Sequence, residues 1–411
     1  MTRRASVDGR CRRPNFADGV DEHERSRAER NDLNAALRIT CLVGTRPEAI
    51  KMAPVIRALQ QREWAAVTVL VTSQHRDLIA PVLKFFEITP DTDLDVMTDR
   101  QSLPALTSVL LERVSASLAN ERPDLVVAQG DTTSVMATAM ACFYAKVPFA
   151  HVEAGLRTGD LHQPFPEELN RIIASRIADL NFAPTSHART NLLREGVDPS
   201  TIFITGNTVV DALLWAVKRR PSSGVSLRPG QRLVLVTLHR RESFGRPLAA
   251  ALSAVRRLID EYADLVALYP VHPNPDVAGM AHALLGRVDR LHLVPPLDYP
   301  QFVAAMQQAD LIITDSGGIQ EEAVTLNKRV LVARNRTERP EGVAAGLSYL
   351  VGTDPDQIFA AAKRALDDAR VPDAAPDPSE LYGDGHAGER IADIIEASFD
   401  RSRKRAALAG E

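Results

Sequence analysis

The sequence predicts an α/β protein made of two doubly wound parallel-sheet halves that face each other across a cleft. Three observations lead there. Short β-rich runs alternate with helical periodicity along most of the chain, as parallel sheets with crossover helices require. The runs fall into two sets separated by one connecting segment. Polar and chargeable residues collect just after the strand ends, where open α/β sheets bind ligands. The first set covers residues 39–43, 67–72, 125–129, 149–153, 180–183 and 202–205. The second covers 233–238, 266–271, 291–294, 311–314 and 330–333. Between them, residues 206–232 hold a helix over 209–219 and then Pro221-Ser222-Ser223-Gly224, a composition that suits a connection between two Rossmann-like domains.

With 411 residues, 45% hydrophobic and 25% charged, the chain can bury a large core. A net charge of -4 and an isoelectric point near 6.2 argue against nucleic acid as a partner, so local cationic clusters should serve small anions. The longest apolar stretch, residues 135–145, is too short to span a bilayer and reads as a core helix. Residues 1–36 are rich in Arg, Asp and Glu and lack an apolar segment. They read as a disordered extension, or as the product of a start codon placed too far upstream, and not as a signal peptide. Cys11, Cys41 and Cys142 are an odd, scattered set, which fits reduced thiols in a cytoplasmic compartment.

In the first half, Gly44-Thr45-Arg46-Pro47-Glu48-Ala49-Ile50-Lys51 joins a strand to a helix. The glycine lets backbone approach a phosphate, the helix N-terminus offers N–H donors, and Arg46 and Lys51 add full charges. The plainer alternative is an ordinary strand-to-helix turn with two solvated cations. Gly130-Asp131-Thr132-Thr133-Ser134 follows the third strand, where Thr and Ser cap a helix and Asp131 faces the cleft. His151 and Glu153 follow next, placed on one face by the two-residue period of a strand. Pro164-Phe165-Pro166-Glu167-Glu168-Leu169-Asn170-Arg171 then sets a carboxylate pair at a helix start, where the dipole favours anions. Any one of these acids is as well explained by capping or a surface ion pair; three of them converging on a cleft with cations is not.

The second half reads as a clamp for a nucleoside diphosphate. His239-Arg240-Arg241-Glu242-Ser243 ends one strand, and Asp315-Ser316-Gly317-Gly318 ends another and opens a helix. Ser316, Gly317 and Gly318 would aim N–H groups at phosphate oxygens, and Glu322 in the first turns would accept two ribose hydroxyls. Thr337-Glu338-Arg339-Pro340 follows the last strand, with Arg339 either on the ligand or in a structural ion pair.

These motifs together resemble those of the non-hydrolysing UDP-N-acetylglucosamine 2-epimerases. GTRPEAIKMAP, GDTTS, HVEAGLRTGD, PFPEELNR, TGNTVVDALLW, HRRESFGR, HPNP, TDSGGIQEEA and TERPEG occur in that family's order, and the likeness runs from about Leu37 to the helix after His386. The resemblance implies a GT-B fold with an N-terminal domain over residues 37–205, a UDP-binding domain over 206–380 and a C-terminal segment, 381–411, whose helix over 387–399 packs back toward the first domain. It implies reversible exchange of UDP-N-acetylglucosamine and UDP-N-acetylmannosamine through elimination of UDP to 2-acetamidoglucal and re-addition, supplying cell-surface polysaccharide synthesis. Asp131, Glu153, Glu167 and His239 match the family's catalytic positions, with base and acid unassigned. Arg46, Lys51, Asp131, Glu153, His239, Leu297, Phe302, Ser316, Gly317, Gly318, Glu322 and Arg339 match its substrate-binding positions. Leu297 and Phe302 would hold uracil, although both also suit a core. A homodimer is implied, with no cofactor, metal, nucleic acid or membrane.

Asn335-Arg336 and Leu238 depart from the usual family residues, and Asp77 after Gln74-His75-Arg76 weakens the expectation of a second, activating UDP-sugar site. Gly383-Asp384-Gly385-His386-Ala387-Gly388 fits a GxGxxG pattern but lacks the preceding strand and βαβ unit of a dinucleotide site. His151 and His162 lack metal-ligand spacing. A GT-B glycosyltransferase, a hydrolysing epimerase and a non-enzymatic UDP-sugar sensor are the alternatives; the retained acids count against the last.

Overall fold

The structure, a computed structural model, describes residues 36–72, 76–98, 101–238, 244–368 and 377–409. The first half runs β1 (Leu37–Val43), α1 (Arg46–Gln60), β2 (Ala65–Val71), α2 (Arg76–Phe85), β3 (Thr92–Asp93), α3 (Leu103–Glu121), β4 (Leu125–Gln129), α4 (Thr133–Ala145), β5 (Phe149–Val152), α5 (Glu167–Ile177), β6 (Leu180–Ala183), α6 (Ser186–Arg194) and β7 (Ile202–Ile204). Helix α7 (Thr208–Lys218) follows. The second half runs β8 (Arg232–Thr237), α8 (Arg246–Glu261), β9 (Leu265–Pro270), α9 (Pro275–Leu285), β10 (Leu291–Val294), α10 (Tyr299–Gln308), β11 (Leu311–Thr314), α11 (Gly317–Thr325), β12 (Val330–Val332), α12 (Pro340–Ala344), β13 (Ser348–Leu350) and α13 (Pro355–Asp367). Two further helices, α14 (Pro378–Tyr382) and α15 (Ala387–Ala409), lead back across the molecule.

All strand pairs are parallel, in the orders β3-β2-β1-β4-β5-β6-β7 and β10-β9-β8-β11-β12-β13. Two doubly wound sheets whose strand ends face one another make a GT-B fold. The order reverses between β1 and β4 and between β8 and β11, so the carboxyl ends of those four strands border the crevices where such sheets take ligands.

Local sequence explains the elements. Helices cover both faces of each sheet, so β4 and β11 are apolar and buried throughout, except for the terminal Gln129 and Thr314, which are buried polar residues at the crevice. Thr45 and Glu48 form a reciprocal capping box at the start of α1, with Pro47 in its first turn. Helix α4 is apolar nearly all round because α3 and α5 flank it; Phe143 and Tyr144 at its end are nevertheless 65% and 63% exposed. Strand limits move by a residue or two from those expected. The edge strands β3 and β13, two and three residues long, carry no apolar run and form only by pairing with β2 and β12. Cys41 and Cys142 are buried free thiols, pushed up to about 12 by burial. Cys11 and the N-terminal extension up to residue 35 lie outside the described residues. No helix among the described residues is long and apolar enough to cross a membrane.

The segment joining the halves is no simple tether. Helix α7 packs on α1 from one half and on α10 and α11 from the other, and its Ala212, Leu213 and Ala216 belong to a core continuous across both. Helix α15 lies over α1 and α7, where the Gly388 amide donates to Asp211 Oδ1 at 2.8 Å and Arg62 pairs with Asp393 at 2.6 Å. The chain crosses between halves twice, at Gly206 (φ 83°) and Gly383 (φ 121°), and a Cβ on Gly206 would stand 3.2 Å from the Gly383 Cα. Both positive φ values and the close approach require glycine.

A Cβ at Gly388 would lie 2.7 Å from the Pro54 carbonyl oxygen of α1. Gly388→Val is therefore expected to lower the free energy of unfolding by about 1–3 kcal/mol through overpacking. Urea denaturation reads this directly, and an unchanged midpoint would contradict the packing of α15 on α1.

Candidate functional site

The turn after β1 does not hold open amides. The N–H groups of Gly44 and Thr45 donate to Glu48 Oε2 at 2.5 and 3.1 Å, and the Thr45 hydroxyl takes the Glu48 N–H at 3.5 Å. The expectation that this turn cradles a phosphate is thus corrected: the chain's own carboxylate, three residues into α1, already fills it. Burial pushes the Glu48 carboxyl up to about 7, against the pull of those N–H groups. The two cations of the motif behave as a site would need. Arg46 reaches across to the other half, where its Nη2 donates to the Leu297 carbonyl at 2.8 Å, and buried Lys51 pairs with Glu153 Oε2.

Of the three acids, Asp131 pairs with Arg171 of α5 through its side chain, Glu167 meets it through its backbone, and Glu153 pairs with other cations. Asp131, at the end of β4, accepts from Arg171 Nη2 through its side chain and from Asn170 Nδ2 through its carbonyl at 2.9 Å. Glu167 opens α5 half-buried, and its carbonyl accepts from Arg171 Nε at 3.4 Å. Its neighbour Glu168 is fully buried and accepts from the Thr158 and Gly159 amides at 3.0 Å, so the expected carboxylate pair divides into one half-buried group and one that fixes a loop. Glu153 does not continue β5: its φ of 65° turns the backbone out of the strand, so His151 and Glu153 are not set side by side by strand period. His151 sits beneath, where Nε2 donates to the Gly130 carbonyl at 2.7 Å and Nδ1 accepts from the Ser175 hydroxyl at 3.1 Å. Burial lowers it to about 4, so it is a neutral prop under the Asp131 turn.

Glu153 is buried and held by charge from both halves. Besides Lys51, it accepts from Arg339 Nη2 at 3.5 Å and Asn207 Nδ2 at 3.3 Å. Burial alone would raise its carboxyl, but Lys51 and Arg339 outweigh it and hold the group below the ordinary carboxylate value. Arg339 also donates through Nε to Glu321 at 2.7 Å and through Nη1 to Glu338 at 2.6 Å, and Glu338 takes Arg334 Nη1 at 3.0 Å. Its guanidinium is therefore a hub among three carboxylates, the ion-pair alternative raised by the sequence. Glu321 was not singled out from the sequence, although it stands in a helix-start motif beside residues that were, and Asn207 reads from the sequence as part of a hinge and not as a site residue.

The turn after β11 contrasts with that after β1. Ser316 is the N-cap residue of α11 but makes no side-chain capping bond, and a Cβ at Gly318 would meet nothing within 4 Å. A Cβ at Gly317 would lie 2.4 Å from Arg339 Nη1, so glycine here admits the guanidinium against the helix start. The Ser316 N–H already donates to the Thr314 hydroxyl at 3.0 Å, so it is the Gly317 and Gly318 amides, at the helix start beside Arg339, that can receive an anion. Glu322 is buried beneath them, accepts the Tyr299 hydroxyl at 2.9 Å, and is pushed up to about 7 by burial. Leu297 and Phe302 are half-buried against the core, with the Leu297 carbonyl turned to Arg46. His239 and the Gln74-His75 pair lie outside the described residues, and His162 is exposed. A cavity of about 860 Å³ opens at the crossover, lined by Thr185, Ile204, Gly206, Glu341, Gly383 and Arg390; it holds none of the candidate residues.

Known proteins resemble this chain over most of its length. The family model described as UDP-N-acetylglucosamine 2-epimerase matches residues 57–396. The UDP-N-acetylglucosamine 2-epimerase of Escherichia coli (strain K12) is 46% identical over 370 residues, covering 87% of this chain and 98% of the relative. The crystal structure of UDP-GlcNAc 2-epimerase from Neisseria meningitidis bound to UDP-GlcNAc matches with a TM-score of 0.83 at 36% identity, covering 88% of this chain and 100% of that one. The S. aureus MnaA–UDP structure gives 0.83 at 43% identity, covering 89% and 97%. By family match and by identity along nearly its full described length, the chain belongs to the UDP-N-acetylglucosamine 2-epimerase family.

Proposed function

We propose that the chain interconverts UDP-N-acetylglucosamine and UDP-N-acetylmannosamine by eliminating and re-adding UDP. The observation that carries this is the meeting of an open, cation-backed helix start at Gly318 with a buried acid cluster from the opposite half. UDP would lie along Ser316, Gly317 and Gly318, its ribose on Glu322 and its base beside Leu297 and Phe302, with Arg46 closing from the first half. His239, by its place after β8, would join the diphosphate.

The chemistry divides between the halves. The C1–O bond breaks and its electron pair leaves with UDP, whose negative charge the α11 amides stabilise. A carboxylate removes the C2 proton, and the C–H pair becomes the C1–C2 double bond of 2-acetamidoglucal. UDP oxygen then re-attacks C1 while an acid on the opposite face of the ring returns a proton to C2, inverting that carbon. Asp131, Glu153 and Glu167 are the groups for this traffic. Glu153, kept ionised by Lys51 and Arg339, suits stabilising positive charge at C1 better than accepting a proton. Closure about Gly206 and Gly383 would join an N-terminal domain ending near residue 205 to a UDP-binding domain, within a cytoplasmic homodimer. The exposed Phe143 and Tyr144 pair on α4 supports that dimer face.

Epimerisation in heavy water should place deuterium at C2 of the product, followed by NMR. Product without it would argue against elimination, and release of free N-acetylmannosamine would replace re-addition with hydrolysis. Asp131→Asn, Glu153→Gln and Glu167→Gln should each lower kcat by roughly 10²–10⁴-fold while UDP binding by calorimetry persists. A variant that keeps parental kcat removes its residue from the proton path. Gly318→Leu should fold normally, since a Cβ there meets nothing within 4 Å. It should still weaken UDP by roughly tenfold or more as it fills the phosphate space. Unchanged affinity would move the diphosphate elsewhere.

A further inference from the structure

We infer that Asn207 is a positioning residue for Glu153: its amide, at the crossover between the halves, closes a ring of side chains that orients the Glu153 carboxylate. The ring has four members, Glu153, Arg339, Glu321 and Asn207. Arg339 joins the Oε1 atoms of the two carboxylates, donating to Glu153 at 3.5 Å and to Glu321 at 2.7 Å. Asn207 Nδ2 joins their Oε2 atoms, donating to Glu153 at 3.3 Å and to Glu321 at 2.9 Å. The assignment is built on the epimerase reading above and deepens it.

The orientation of the amide is fixed by the fold. Asn207 is the N-cap of α7, and its Oδ1 accepts the Val209 N–H at 3.1 Å, so both Nδ2 hydrogens must face the carboxylates. Its own N–H donates at 2.6 Å to the carbonyl of Tyr382, the last residue of α14 before the second crossover. The residue is 1% exposed, so no water replaces a lost donor cheaply. Each ring member comes from a different part of the chain: Glu153 from the end of β5, Asn207 from the first crossover, Glu321 from α11 and Arg339 from the residue before α12. The ring is complete only when the halves sit as they do here. Asn207 therefore ties the pose of the Glu153 carboxylate to closure, and it touches none of the groups assigned to UDP.

Asn207→Ser and Asn207→Asp test this, because both residues keep a side-chain oxygen able to cap α7 while neither can donate to two carboxylates. In each variant kcat for epimer formation should fall on the order of 10- to 100-fold through misplacement of Glu153, with the aspartate the worse of the two. KM and UDP affinity by calorimetry should stay at the parental values, while the melting temperature falls, more so in Asn207→Asp, because a buried donor between two carboxylates is lost. Parental kcat in Asn207→Ser overturns the inference. So does a loss of UDP affinity in step with kcat in both variants, which is what a purely structural role gives. If the parental enzyme forms no epimer at all, the epimerase reading falls and this inference with it; normal turnover by Asn207→Ser removes the inference alone.

Discussion

The buried contact of Arg339 with Glu153 organises the rest of the molecule. A guanidinium and a lysine placed out of water must each find carboxylates, and carboxylates so placed must find donors, because an unpaired buried charge is far costlier than a paired one. Here Lys51 and Arg339 meet Glu153, while Glu321 and Glu338 take the remaining faces of the Arg339 guanidinium. The partners come from opposite halves. Such a cluster adds little to net stability, but it fixes geometry, since few arrangements satisfy every group at once. It also explains how a carboxylate buried as deeply as Glu153 stays ionised.

Two helix starts that look alike in sequence have opposite fates at the two switch points. At β1, Glu48 lies at the third helical position and its side chain folds back onto the Gly44 and Thr45 amides. At β11, the third helical position is Ile319, which cannot fold back, and Ser316 leaves the amides uncapped by its side chain. A carboxyl group is therefore built into one turn and absent from the other. The first half contributes acids and the reach of Arg46; the second contributes the uncapped helix start. Their separation on two halves makes the α7 and α15 packing part of the site, because those helices hold the two sheets in register.

Of the non-glycine residues held at positive φ among the described residues, one lies in the ion cluster. Glu153 adopts a φ of 65°, a conformation that costs a non-glycine residue on the order of 1 kcal/mol or more and persists only when its surroundings over-determine it. The surroundings are the ion cluster itself. Turning out of β5 at this residue carries the carboxylate toward Lys51 and Arg339, whereas a continued strand would have put it over the sheet face with His151. His151, kept neutral, instead supports the carbonyl of Gly130 beside Asp131.

The sequence by itself determined the strands of both sheets to within a residue or two, apart from the edge strands β3 and β13, whose few residues take extended form only because a neighbour pairs with them. It also marked candidate groups for a site, because ligand sites in doubly wound sheets follow strand ends and strand ends follow apolar runs. Asp131, Glu167, Ser316, Gly317, Gly318 and Glu322 could be marked from that rule. Tertiary structure alone decided which charge meets which. Glu48 differs from any other acid in a first helical turn only by where its side chain folds, and Arg339 and Lys51 read as equally available to a ligand until three-dimensional packing gives them Glu153. Asn207 and Glu321 carry no local mark of the acid cluster. They become members of the acid cluster because the chain crosses twice between halves and closes on itself, bringing residues 54 and 114 positions apart into hydrogen-bond contact. Local periodicity carries no record of such separations.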